Sequence, residues 1–263
     1  MAPADVVTRV APEPQFALVG RVGYVPVAAQ DAIASFQEAA LPAPAGSGAM
    51  GIWFEDARSG VALKWHIPAG ALFDACHGGG ESMVPWEITV HFTKFPREKL
   101  LRCDDIEAIR RNFMNELKQA AHLRHGTAKV VMALPKADQE ALWEAVMNRQ
   151  YKKFSAINGQ LHGPACKVEP RKLCIRLVEL KKGEIRCTQR IIIPSGKDDS
   201  PILLGDALRE TFGCFAGRNR ALLHGIAAPL HAPVQDVFNG LSSADNFLYI
   251  VQVSSTEHDE QHD

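Results

Sequence analysis

The most constraining stretch lies in the last third of the chain. There, runs of strand-like and helix-like residues follow one another with turn residues between them. KLCIRLVEL (172–180) and IRCTQRIIIP (185–194) read as strands joined by a turn at KKGE, so the pair predicts a hairpin. LLGDALRETFG (203–213) predicts a helix, ALLHGI (221–226) a strand, PVQDVFNGL (233–241) a short helix and NFLYIVQV (246–253) a last strand. Few compact folds accept these elements in this order.

Hairpin, helix, strand, short helix, strand is the order of the ubiquitin-like β-grasp. Residues 50–92 carry the same plan less one strand. MGIWFED and VALKWHI flank the turn residues of DARSG, PAGALFDA (68–75) opens a helix with proline, and WEITVHF (86–92) alternates as a strand. FALVGRVGYVPVA (16–28), which alternates bulky and small residues, is expected to supply the missing strand; DAIASFQEAA (31–40) has helical spacing and LPAPAGSGA (41–49) reads as a flexible connector. Between the two plans, DDIEAIRRNFMNELKQAAHLRHG (104–126) starts on capping aspartates and stops on glycine. A second helical region runs from Lys136 to about Gln160, with Leu142, Val146, Tyr151 or Phe154, and Ile157 at suitable spacing. The expectation is therefore an α+β chain in which two ubiquitin-like β-grasp domains flank a helix-rich domain. The expected parts are a short lead (1–15), a first ubiquitin-like domain (16–100), the helix-rich domain (104–162), a second ubiquitin-like domain (170–254) and a disordered tail (255–263). Each sheet should carry one main helix on one face.

With 263 residues, 46% of them hydrophobic, the chain can bury a sizeable core, and 29 Lys and Arg against 30 Asp and Glu leave no global field to draw it to nucleic acid or a membrane. The stretch MAPADVVTRVAPEPQ lacks the basic start and apolar run of a secretory signal, so none is expected, and the sequence shows no apolar run of membrane-spanning length and no glycosylation sequon. Cys76, Cys103, Cys166, Cys174, Cys187 and Cys214 are scattered without a Cys-X-X-Cys pair, which fits reduced thiols in a cytosolic protein.

Several motifs lack the context their chemistry needs. Gly46, Gly48 and Gly51 match a dinucleotide fingerprint but follow a proline-rich linker and precede a strand. His77, Gly78, Gly79 and Gly80 resemble an esterase oxyanion loop in a chain without a nucleophile elbow. His122 and His125 share a helical spacing but no third metal ligand stands nearby. Arg110 with Arg111, Lys152 with Lys153 and Lys181 with Lys182 read as solvated pairs; Trp53, Trp65, Trp86 and Trp143 read as core anchors. No cofactor or metal is expected. Within NFMNELKQAAHLRHG, Lys118 has Met114, Asn115, Ala121 and His122 at helical contact spacing instead of a carboxylate. On residues alone it is a plain surface lysine or a chemical handle.

Three further blocks, in order, carry a resemblance over roughly residues 16–255: IWFED with LKWHIPAGALFDA and PWEITVHFTKFPREKLLRC, then FMNELKQAAHLRHG, then LHGIAAPLHAPVQDVFNGLSSADNFLYI. They resemble the autophagy protein five family. The resemblance implies a non-enzymatic scaffold of autophagosome assembly, cytoplasmic and peripheral at the phagophore assembly site membrane. It implies that Lys118 receives the C-terminal glycine of autophagy protein twelve through an isopeptide bond. The conjugate would join the coiled-coil autophagy protein sixteen in an E3-like complex. That complex would work with the E2-like enzymes of the conjugation systems and promote transfer of autophagy protein eight to phosphatidylethanolamine. Arg21, in GRVGYV, resembles the family's partner-facing segment, and a groove between the domains is expected to take a helix. Members usually begin with a helix that grips the coiled-coil partner, whereas here Pro12 and Pro14 discourage one. A non-covalent adaptor for autophagy protein twelve would need the same fold without Lys118.

Overall fold

The computed structural model describes residues 1–8, 12–40, 51–78, 84–161, 172–196, 198, 200–213 and 219–253. The connector at 41–49, most of the glycine loop after Gly78, Cys166, Cys214 and the acidic tail lie outside them.

In the second half the chain follows its pattern closely. Leu173–Lys181 (which we call β3) and Glu184–Ile192 (β4) form the hairpin, followed by Leu204–Phe212 (α8), Arg220–Leu223 (β5), Ile226–Ala227 (β6), Val234–Leu241 (α9) and Leu248–Val253 (β7). The sheet order is β4-β3-β7-β5-β6, with β3 and β7 parallel at its centre and the other neighbours antiparallel. Leu173, Ile175 and Leu177 of β3, with Leu248 and Ile250 of β7, pack with Leu204, Leu208 and Phe238 of α8 and α9. The alternate residues Cys174, Val178, Tyr249 and Val251 face the other way, into a core shared with the first domain. Both faces of β3 are thus covered, which is why its sequence reads as a nearly unbroken apolar run.

The first half, in chain order, holds Val25–Ala28 (α1), Gln30–Gln37 (α2), Trp53–Asp56 (β1), Ala69–His77 (α3) and Ile88–His91 (β2). β1 and β2 pair antiparallel, Trp53 opposite His91. The expected hairpin closes through Asp56 N–H to Val61 O and Leu63 N–H to Phe54 O, 2.9 and 2.8 Å, but its second arm contributes only an isolated bridge at Ala62. The turn of Lys64 to Ile67 ahead of Pro68 takes its remaining residues.

The expected strand over 16–28 does not form. Residues 12–20 run without a ladder, a turn follows, and Pro26 lies in the first turn of α1, where its fixed φ and missing N–H suit a helix start. The backbone there has another use. Arg21 O accepts from Gly70 N–H and Gly23 O from Ala69 N–H, both 2.8 Å, so the segment satisfies donors at the start of α3 that no helical carbonyl can reach. The lead, expected to stand apart, is also packed: Ala2 N–H donates to Val90 O at 2.8 Å, and buried Asp5 accepts from Phe92 N–H and from the Thr93 hydroxyl. Nor is one helix confined to one sheet. Small residues Ala71 and Ala75 with fully buried Leu72 let α3 sit between β1–β2 and the centre of the second sheet.

Ile106–His125 (α4), Lys129–Met132 (α5), Lys136–Met147 (α6) and Tyr151–Asn158 (α7) form the middle of the chain, with no strand among the described residues from 104 to 161. Asp105 caps α4 by accepting from Ala108 N–H at 2.6 Å, and Gly126, at φ +74°, ends it in the left-handed region that favours glycine. Ile109, Phe113, Leu117 and Leu142 are fully buried and form this domain's core with Trp143 and Tyr24. Removing a side chain such as Phe113 would cost about 3–5 kcal/mol.

Candidate functional site

The stripe of α4 formed by Ile109, Phe113, Leu117 and Ala120 is wholly buried, and Lys118 is half-buried at its margin. Its alkyl stem can lie on the domain while its amine reaches solvent. Among the described residues no carboxylate forms an ion pair with it. The acid nearest in sequence, Glu116, is committed elsewhere, to Arg176 of β3.

Arg176 is the centre of a buried cluster that pattern reading passed over. It donates to Glu116 and, at 3.4 Å, to Gln119, both on α4. Within its own sheet it donates to Gln189 Oε1 at 3.1 and 3.2 Å and to the Tyr249 hydroxyl at 2.7 Å. Its guanidinium lies 3.6 Å above the Phe247 ring and 3.7 Å from Asp245 Oδ2. The Tyr249 hydroxyl donates to Asp245 at 2.7 Å. Burial pushes the Asp245 carboxyl up to about 6, outweighing the pull of Arg176. Burial also opposes the charge of Arg176, yet Tyr249, Glu116 and Asp245 together hold the guanidinium above its ordinary value. The sequence did offer one signal: an arginine within the apolar run from Leu173 to Val178, which is buried on both faces, needs buried partners.

Arg21 lies in the turn before α1, not in a strand. Its guanidinium donates to Gly70 O at 3.1 Å and to buried Asp74 at 2.5 Å, and its side chain keeps 38% of its exposure. A Cβ at Gly225, between β5 and β6, would meet the guanidinium at 3.1 Å, so Arg21 spans from α3 to the second sheet.

Between the first and helix-rich domains lies an apolar cleft of about 230 Å³, lined by Ile33, Ile52, Trp53, Trp65, Phe95 and Ile109 among others. Asp105 and Gln30 lie at it, and few other polar groups do.

The rejected motifs have structural uses. His77 Nε2 lies 2.8 Å from Asp56 Oδ2, which also accepts from Trp86 Nε1 at 2.8 Å, so this histidine ties the end of α3 to β1. Gly51 leads into β1, while Gly46 and Gly48 lie outside the described residues. Among the described residues no cluster of His, Cys, Asp or Glu could hold a metal, His122 and His125 included, and no helix is long and apolar enough to cross a membrane.

Three protein-family models match the chain in succession: "Autophagy protein ATG5, UblA domain" at residues 1–92, "alpha-helical bundle region" of the same protein at 106–164, and its "UblB domain" at 170–251. The chain belongs to the autophagy protein 5 family. Among relatives in that family, the Drosophila melanogaster protein is 29% identical over 249 residues, covering 95% of this chain and 90% of its own length. The Arabidopsis thaliana protein is 34% identical over 158 residues, 60% of this chain and 44% of its own length. The crystal structure of Kluyveromyces marxianus Atg5 superposes with a TM-score of 0.78 at 20% identity, over 95% of this chain and 92% of that one. Family membership carries an autophagy role built on two ubiquitin-like domains around a helical bundle, and it fits a non-catalytic component.

Proposed function

We propose that this chain is the acceptor half of a ubiquitin-like conjugate, with Lys118 as the attachment point for autophagy protein twelve. The reading rests on one observation within this family: a helical lysine at the edge of a buried stripe, with no ion pair among the described residues. The neutral amine attacks the thioester carbonyl on an E2-like enzyme. A C–N bond forms, the C–S bond breaks, the enzyme's cysteine leaves as thiolate and the amine's proton passes to solvent. A free lysine near pKa 10.4 is almost wholly protonated at neutral pH. Docking of the enzyme over a lysine without a carboxylate partner would favour the neutral form by desolvation.

The conjugate would act as an E3-like scaffold at the phagophore assembly site, bind the coiled-coil autophagy protein sixteen and promote lipidation of autophagy protein eight. The apolar cleft supports the helix-docking part of this reading, since a partner helix buries its anchors in such grooves. Arg21 is proposed as a partner contact through its exposed portion. In cells that express the chain, an immunoblot should show a band shifted up by a ubiquitin-sized mass, absent in Lys118→Arg. A shifted band that persists in that variant overturns the attachment site. Absence of any shifted band from the unaltered chain, with autophagy protein twelve still co-purifying, would instead favour the non-covalent adaptor.

A further inference from the structure

We propose that Arg176 is a positioning residue for Lys118: by holding Glu116 and Gln119 it fixes the rotation of α4 about its own axis, and with it the angle at which the amine meets an incoming thioester. The inference rests on Lys118 being the acceptor. Successive helical residues are separated by roughly 100°, so Glu116 and Lys118 stand on opposite margins of the stripe formed by Ile109, Phe113, Met114, Leu117, Ala120 and Ala121. A purely apolar stripe restrains rolling weakly, because hydrophobic contact has no direction. A guanidinium with its donors in a fixed plane does have direction.

Arg176 is itself immobilised. Its stacking on Phe247 and its bonds to Tyr249 and Gln189 leave it no free rotation, so Glu116 and Gln119 dock on a fixed point of the second ubiquitin-like domain. Beyond Lys118, α4 also meets that domain at the Cys174 thiol, 4.0 Å from Ala120 O, and at Arg124, 4.8 Å from the Phe238 ring. Of these, the Arg176 contact is the one whose partners on α4, Glu116 and Gln119, bracket Lys118 in sequence.

The test is single-turnover transfer of the ubiquitin-like donor from its charged E2-like enzyme to the full chain, at several enzyme concentrations. Glu116→Ala should lower the rate constant at saturating enzyme roughly tenfold, as expected for a misplaced reacting group. Half-saturation and the final extent of conjugation should not change. Glu116→Gln, which restores an acceptor, should recover part of the rate. Arg176→Gln should match Glu116→Ala, and the double variant should be no slower than either. A role confined to folding would lower the final extent and leave the rate constant of the folded molecules alone. A wild-type rate constant in Glu116→Ala, or a loss of extent only, overturns the proposal while Lys118 stands. That variant leaves the cluster around Asp245 intact, so the test does not depend on Arg176→Gln folding. Unimpaired conjugation of Lys118→Arg in the same assay removes the attachment reading and this proposal together.

Discussion

Arg21 Nη2 lies 2.5 Å from Asp74 Oδ2, and through that pair a half-exposed turn residue neutralises a carboxylate that is only 1% exposed. Removing one partner of a buried pair leaves the other charge uncompensated. Arg21 still meets solvent, so its loss should cost less than the about 3–5 kcal/mol of a fully buried pair; we expect about 1–3 kcal/mol for Arg21→Ala. Arg21→Ala with Asp74→Ala should recover part of that loss in urea denaturation, whereas additive losses would show that the pair is not coupled. Any partner-binding defect of Arg21 variants has to be compared with this loss of stability.

Gly70 faces the same turn. A Cβ placed there would come within 2.7 Å of Arg21 Cβ and 2.9 Å of Arg21 O, and the latter is backbone that also accepts from Gly70 N–H. Gly70→Ala should therefore destabilise by about 1–3 kcal/mol despite the better helix propensity of alanine. A thermal midpoint equal to or above that of the unaltered chain would contradict the close approach.

Acid stability should depend on buried groups whose shifts have opposite sign. Burial, with Lys64 and Arg176 nearby, lowers the His66 imidazole to about 4, and its Nδ1 has no hydrogen-bond partner. Unfolded His66 takes up its proton near 6.5, so its contribution is present above that pH and is lost as pH falls towards 4, by up to about 3 kcal/mol before solvent access is allowed for. His91, also lowered by burial, acts in the same direction. Asp245, raised to about 6, does the reverse: its contribution is full below the ordinary carboxylate value and is lost as pH rises through 6. Denaturation at pH 7.5 and 4.5 should show a smaller fall for His66→Phe than for the unaltered chain and a larger one for Asp245→Asn. Identical falls in all three chains would refute both assignments.

Elements were legible wherever one face of a regular pattern decided the outcome. α4 announced itself by Asp105, its apolar stripe and Gly126, and the hairpin of β3 and β4 by two strands around Lys182 and Gly183. The segment at 16–28 misled because alternation records only that every second residue is bulky; the carbonyls of Arg21 and Gly23 were taken by α3, a competition between residues far apart in sequence. The cluster on Arg176 was hidden for the same reason. Glu116, Arg176 and Asp245 come from three separate segments, and no local spacing connects them.

The cleft between α2 and α4 allows a test of helix docking that leaves the core intact. Ala34 is exposed on α2 and lines the cleft, whereas Ile33 beside it is buried and packed with Phe36 and Phe54. A substitution at Ala34 can therefore enlarge into the cleft without displacing core atoms, and arginine or glutamate helps solvate the helix surface while introducing charge where an apolar anchor would bury. Truncating a central anchor commonly costs more than about 2 kcal/mol of binding, and a charge forced into its pocket should cost at least as much. Ala34→Arg and Ala34→Glu are thus both expected to weaken binding of the coiled-coil protein, measured by isothermal titration with the purified chain, by about thirtyfold or more. Loss for one charge and gain for the other would mean that electrostatics at the rim governs the contact. Undiminished affinity with both would remove this cleft as the docking groove.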